Sequence, residues 1–180
     1  MVVMSAQPKL HILFSHDEIE ATVAKLAAEI KNDYQARDPL LIGVLKGSFM
    51  FMADLVRFLD FPLEVEFVRL SSYGRGRQSS GKVRVVKGLT SSIKGRDVLI
   101  IEDIVDTGLT TSFLLDYLRQ KKPASLKLCA LTDKPSRRQT PVIIDYLGFT
   151  VPDKFLVGFG LDWDEKFRNL PDICYLEVEE

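Results

Sequence analysis

The chain has little of what marks several large function classes. Its 180 residues hold two cysteines, two histidines and one tryptophan. Cys129 and Cys174 each lie in an apolar run and neither belongs to a C-x-x-C pair. That argues against structural zinc and against a disulfide framework, and two buried free thiols are expected. His11 and His16 do not share a helical face, and no acid–histidine motif surrounds them. No uninterrupted apolar run reaches the roughly 18 residues of a membrane span. The best candidate, Leu40 to Val56, is broken by Lys46 and Asp54. The first residues lack a basic stretch followed by an apolar core, so no signal peptide is expected. An excess of one charge is missing too. There are 24 basic and 25 acidic residues, a net charge of −1, which disfavours a globally basic nucleic-acid binder. The expectation is a cytoplasmic protein with no membrane and no nucleic-acid partner.

What is present suits a globular fold: 46% hydrophobic, 27% charged, 11 glycines and 8 prolines. One domain over 1–180 is expected, large enough to hide roughly 70% of its unfolded surface. Ser15-His16-Asp17-Glu18 has the S-x-x-E form of a capping box. It opens a helix to about Ala36, with Ile19, Val23, Leu26, Ala27 and Ile30 on one face. Leu40–Leu45 is a continuous apolar run, as in a strand buried on both faces. Lys46-Gly47-Ser48 interrupts it, and Phe49–Leu59 reads as a second helix. Pro62–Ser71 and Lys82–Lys87 read as the arms of a hairpin. Further strands are expected at Val98–Ile101, Leu126–Leu131, Pro141–Phe149, Phe155–Phe159 and Ile173–Val178, and a helix from about Thr110 to Lys121. Strand–helix–strand repetition with apolar central strands argues for an α/β fold with a parallel sheet.

The hairpin tip, SSYGRGRQSSG at 71–81, has nothing to bury and should be a mobile loop. From Arg69 to Lys87 there are six basic residues and no acidic ones. This is either a solvated hairpin or a lid over an anionic ligand.

VLIIEDIVDTGLTT, residues 98–111, carries the densest chemistry. A buried strand runs into Glu102 and Asp103, and Asp106 sits at a sharp turn before a helix start. Open α/β sheets bind ligands beyond the carboxyl ends of their strands. A helix N-terminus offers free N–H groups and a positive dipole end. Residues 106–110 are thus a candidate phosphate cradle, with Thr107 and Thr110 adding hydroxyls and Gly108 allowing close approach. Glu102 and Asp103 suit a ribose diol or Mg²⁺, which favours one or two carboxylates plus substrate oxygens. Asp106 could be a general base. The alternative is a capping cluster, with Asp106 as the N-cap and the other acids solvated.

This stretch resembles the phosphoribosyl-diphosphate signature of the phosphoribosyltransferases. More narrowly, the chain resembles the bacterial hypoxanthine (hypoxanthine-guanine) phosphoribosyltransferases from about His11 to Val178. Besides EDIVDTG, the likeness rests on LKGSFMFMADL (45–55), SSYG (71–74), LTDKPSRR (131–138) and PDKFLVGFGLDWDEKFRNLP (152–171), all in family order. The resemblance implies the type I phosphoribosyltransferase fold: a mainly parallel central sheet flanked by helices, a small hood and a mobile hairpin lid. The hood would combine the N-terminal strand with the C-terminal segment.

The resemblance also implies the activity. A 5-phosphoribosyl group would pass from phosphoribosyl diphosphate to N9 of a 6-oxopurine, hypoxanthine or guanine, releasing pyrophosphate. Asp106, Thr107, Gly108, Leu109 and Thr110 would hold the 5′-phosphate, and Asp106 would be the catalytic proton acceptor near purine N7. Lys46, Gly47 and Arg168 would meet pyrophosphate, beside a non-proline cis peptide between Leu45 and Lys46. Glu102 and Asp103 would face the ribose hydroxyls and Mg²⁺, with Asp162 near a second metal. Lys134 would donate to the 6-oxo group, Phe155 would stack on the base, and backbone near Leu156 and Asp162 would read its edge. Ser72 and Tyr73 would close the lid. Homodimers or homotetramers are implied. Lys134 and Arg137-Arg138 read alone could be solvated turn charges, and Phe155 plain core. A xanthine-preferring relative, an RNA-binding regulator on the same fold and a nucleotide-binding module without turnover are the competing readings. The chain departs from many relatives in carrying Trp163 in place of Tyr, and Leu109 stands where the phosphate loop varies.

Overall fold

A computed structural model describes residues 9–72 and 83–177. The capping box forms as expected. Ser15 Oγ accepts from the Glu18 N–H, and the Glu18 carboxylate accepts from the Ser15 N–H at 2.8 Å. Helix α1 (His16–Tyr34) follows, and the expected face, Ile19 through Ile30, is buried. β1 (Lys9–Phe14) precedes it and β2 (Leu40–Leu45) comes next, then α2 (Phe49–Phe58). Ser48 stands at the α2 N-cap, but its hydroxyl donates to the Val44 carbonyl at 2.8 Å instead of capping the helix.

β3 (Glu64–Ser72) and β4 (Val83–Lys87) pair antiparallel as the two arms of the hairpin. β5 (Asp97–Val105), α3 (Leu109–Arg119), β6 (Ser125–Asp133) and β7 (Tyr146–Thr150) complete a six-stranded sheet in the order β4-β3-β2-β5-β6-β7. All its pairings except β3–β4 are parallel. Helices α1 and α2 cover one face and α3 the other. Leu41 therefore packs into the first core cluster, while Leu40, Ile42 and Val44 pack into the second. A strand covered on both faces has no need of polar positions, hence the unbroken run. A second, three-stranded sheet orders β1-β9-β8, with β8 at Leu156–Val157 and β9 at Ile173–Glu177. This is the mainly parallel, helix-flanked central sheet expected above, and the N-terminal strand pairs with the C-terminal segment as the expected hood would. Both cysteines are buried and free. No described helix is long and apolar enough to cross a membrane.

Three boundaries differ from the sequence reading. β5 does not stop at Ile101 but runs through both acids to Val105, because β6 continues the pairing as far as Val105 opposite Asp133. Residues 141–145 form no strand. Pro141 has no N–H for a ladder, Val142 and Ile144 turn into the second core, and Ile143 is exposed. The run 155–159 yields only β8, because Gly158 (φ 94) and Phe159 (φ 46) turn the chain. Tyr73 and the loop tip lie outside the described residues; Ser72 ends β3.

Candidate active site

The carboxyl ends of β2, β5 and β6 meet in one place. β5 delivers Glu102 opposite Ala130, where its side chain is buried and Oε2 meets no donor. Next to it, the Asp103 carboxylate lies against the backbone of Gly47, so close that a Cβ on Gly47 would land on it. Only glycine fits there. The Leu45–Lys46 peptide just before it is cis, as the resemblance implied. Burial raises the pKa of both acids, and for Glu102 the neighbouring Asp103 charge adds to the effect. From the other side Gly160 approaches the Gly47 carbonyl, leaving no room for a side chain.

Beyond Val105 the chain turns sharply into α3. Asp106 is not its N-cap. That position is Gly108, at φ 82, with no side-chain cap. The left-handed conformation and the nearby Thr140 carbonyl both require glycine. The turn is braced from outside: Thr107 O accepts from Gln139 N–H at 2.9 Å and from Thr140 N–H at 3.1 Å. Arg138 donates to the Asp133 carboxylate beneath it. The first N–H groups of α3 have no partner inside the helix. Leu109 N–H reaches the Thr107 hydroxyl at 3.4 Å, and with no side chain at the N-cap this helix start is able to hold an anion.

Beside it lies a cavity of about 260 Å³ lined by Asp103, Ile104, Asp106, Lys134, Arg137, Phe155, Leu156, Leu161 and Asp162. Asp106 Oδ1 is buried without a hydrogen bond and 3.5 Å from Arg137 Nε. Lys134 is buried, and its Nζ donates to the Lys154 carbonyl at 2.7 Å. Burial holds its pKa below the usual lysine range. An ammonium has three donors and no acceptor, so two remain for a ligand. Phe155, by contrast, is half exposed, a flat ring open to the cavity.

At the rim, Lys46 Nζ lies 2.8 Å from Glu165 Oε2. Arg168 donates to the Gly160 carbonyl at 2.7 Å and pairs with Asp162 at 2.8 Å and Glu165 at 3.2 Å. Its Nε is buried without a partner.

The expected residues therefore converge from four separated stretches. Asp103, Asp106, Lys134, Phe155, Leu156 and Asp162 share the cavity wall, with Thr107–Thr110 adjoining. Lys46 and Arg168 meet at the rim, and Glu102 sits behind Asp103. Sequence reasoning missed Ile104 and Leu161, whose lining role no pattern signals. It left Arg137 as a turn charge, although its place after a strand end was a usable clue. It overlooked Glu165, one acid in a charged run. A divalent cation would find only oxygen donors here: Asp103, Asp162 and the orphaned Glu102. Among the described residues no three His, Cys, Asp or Glu side chains form a ready metal cluster. The donor set suits an ion that completes its shell with ligand oxygens.

Residues 11–164 match the phosphoribosyl transferase domain. The chain belongs to the phosphoribosyltransferase family. This phosphoribosyltransferase is 49% identical over 166 residues to the hypoxanthine-guanine phosphoribosyltransferase of Bacillus subtilis, covering 92% of each chain. It is also 47% identical over 168 residues to the bifunctional protein TilS/HprT of Listeria monocytogenes, covering 93% of this chain but spanning only 26% of that protein's length. A crystal structure of a Staphylococcus aureus hypoxanthine phosphoribosyltransferase superposes with a TM-score of 0.90 at 41% identity, covering 98% of this chain and 95% of that one.

Proposed function

We propose that this phosphoribosyltransferase acts in purine salvage, moving 5-phosphoribosyl from phosphoribosyl diphosphate to N9 of hypoxanthine or guanine, with IMP or GMP and pyrophosphate as products. One observation supports this reading above the rest. A buried, donor-only Lys134 shares a cavity wall with an open aromatic face, Phe155, and with the buried oxygen of Asp106. A donor without acceptor capacity favours a 6-oxo group and rejects a 6-amino group. Phe155 supplies a stacking face.

In this reading the 5′-phosphate binds at the uncapped start of α3, residues 106–110. Leu156 and Asp162 flank the base edge. Asp106 accepts or shares the purine proton at N7. Glu102, Asp103 and Asp162, together with ligand oxygens, would hold Mg²⁺, which when bound would neutralise charge on the diphosphate. Lys46, the Gly47 backbone and Arg168 stabilise the charge that grows on the leaving pyrophosphate. Ser72 and Tyr73 would close over the donor and exclude water. A homodimer or homotetramer would bury the exposed Phe49 and Phe58 of α2, and light scattering would report it. Neither the xanthine-preferring nor the RNA-binding alternative finds support among the relatives.

The test is pyrophosphate release with donor, Mg²⁺ and each of four bases. Hypoxanthine and guanine should turn over, xanthine poorly and adenine not at all. Release with no base but adenine, or with none, would overturn the assignment.

A further inference from the structure

Lys46 and Arg168 are the two cations that the proposed reaction aims at diphosphate, and one acid already holds both. Lys46 Nζ and Arg168 Nη2 lie 2.8 Å and 3.2 Å from the same oxygen, Glu165 Oε2. The Glu165 backbone is fixed nearby: its N–H donates to Asp162 Oδ2 at 2.9 Å, and its φ is 61. Its side chain is not fixed by packing, because it is 63% exposed. The two cations are what hold it. An anionic oxygen between a lysine and an arginine presents what a non-bridging phosphate oxygen would present. A diphosphate and this carboxylate cannot share that position without like-charge repulsion. Leaving it costs Glu165 little, since water lies on its open side.

Resting on the reaction proposed above, we infer that Glu165 is a built-in counter-anion: its carboxylate occupies the diphosphate position between Lys46 and Arg168 and competes with pyrophosphate for it. Binding must expel the carboxylate, and its return helps pyrophosphate leave. A competing internal state lowers apparent affinity by the fraction of molecules that occupy it. Without the carboxylate, Arg168, four-fifths buried, would lose one of its two anionic partners.

The test is calorimetric titration of the full chain with magnesium pyrophosphate. Glu165→Gln keeps the shape and removes the charge. It should bind about two- to tenfold tighter, the range of two partly exposed ion pairs, and its pyrophosphate dissociation rate should fall alongside. Glu165→Ala must move the same way. Glu29→Gln removes an equal charge from the exposed side of α1, where the partner is Lys25, and should leave affinity unchanged. Unchanged or weaker binding by Glu165→Gln overturns the inference, as does equal tightening in Glu29→Gln. If the unaltered chain binds no pyrophosphate, the functional reading falls with it. If it binds and Glu165→Gln does not differ, only the counter-anion falls.

Discussion

Along the amino-terminal edge of the six-stranded sheet, acids meet their partners. Asp33 accepts from Lys127 at 2.7 Å and from the Tyr146 hydroxyl. Asp97 accepts from Ser125 and lies 3.8 Å from Arg37, and Asp145 accepts the Leu128 N–H at 2.8 Å. Along the carboxyl-terminal edge and its flanking loops, Glu102 Oε2, Asp106 Oδ1, Arg138 Nη1 and Arg168 Nε are buried with no hydrogen-bond partner. Only the Tyr34 hydroxyl breaks the pattern at the amino edge among the described residues. Buried polar atoms in folded proteins are normally satisfied. Concentrating the exceptions at one edge keeps donors and acceptors there for a ligand. One edge is built for stability and the other for chemistry.

The carboxyl edge is most sensitive at Asp106. Asp106→Asn should lower the forward rate about 10²–10⁴-fold with little loss of donor affinity, measured by single-turnover product formation and donor binding. An unchanged rate would move the proton acceptor elsewhere. Lys134→Met should raise KM for hypoxanthine about 10- to 100-fold, the loss of one charged hydrogen bond in a buried site. Donor binding should hold, and an unaltered KM would leave Lys134 as support for Lys154 alone. Neither substitution touches the amino edge, so melting temperatures should stay close to that of the unaltered chain.

The scaffold and most of the residues at the carboxyl edge were legible in sequence; the contacts between segments, at either edge, were not. Periodicity and the Ser15–Glu18 box located α1 with its buried face, and apolar runs located β2, β5 and β6. These signals are local, set by burial of neighbouring side chains. The motif at 102–110 was equally local, one strand end leading into one helix start. What escaped notice came from distant segments meeting. Nothing along the chain shows that Gly47 presses on Asp103, that the Lys154 carbonyl holds Lys134, or that Glu165 reaches both Lys46 and Arg168. The strand misread at 141–149 shows the reverse error: apolar Val142, Ile143 and Ile144 suggested a ladder, but Pro141 and the packing of 139–140 on Thr107 send that segment past the sheet.

Two glycines sharpen the contrast. Gly47 sits against Asp103 at the carboxyl edge, whereas a Cβ on Gly95, at φ 73 in the turn before β5, would meet nothing within 4 Å. Gly47→Ala must push the Asp103 carboxylate aside. It should cost about 1–3 kcal/mol, a Tm fall of about 2–12 °C, together with activity. Gly95→Ala meets only the left-handed backbone penalty of about 1–2 kcal/mol and should keep full activity. Thermal melts paired with turnover distinguish them, and an active, fully stable Gly47→Ala would refute the close packing.

The smallest effect belongs to the amino edge and has a definite sign. The Lys127 hydrogen bond, with that of Tyr146, holds the Asp33 carboxyl below its ordinary value of 3.8. A depressed carboxyl contributes stability that is fully present above the ordinary value and is lost as pH falls through the folded one. Asp33→Asn should therefore melt slightly below the unaltered chain at pH 7, and the gap should close as pH falls below 4. Asp33 is close to half exposed, so water and salt screen the pair. The gap should be a few degrees at most and should shrink in high salt. A gap constant from pH 7 to pH 3 would mean that Asp33 acts through shape alone, and the amino edge would owe its order to packing instead of paired charge.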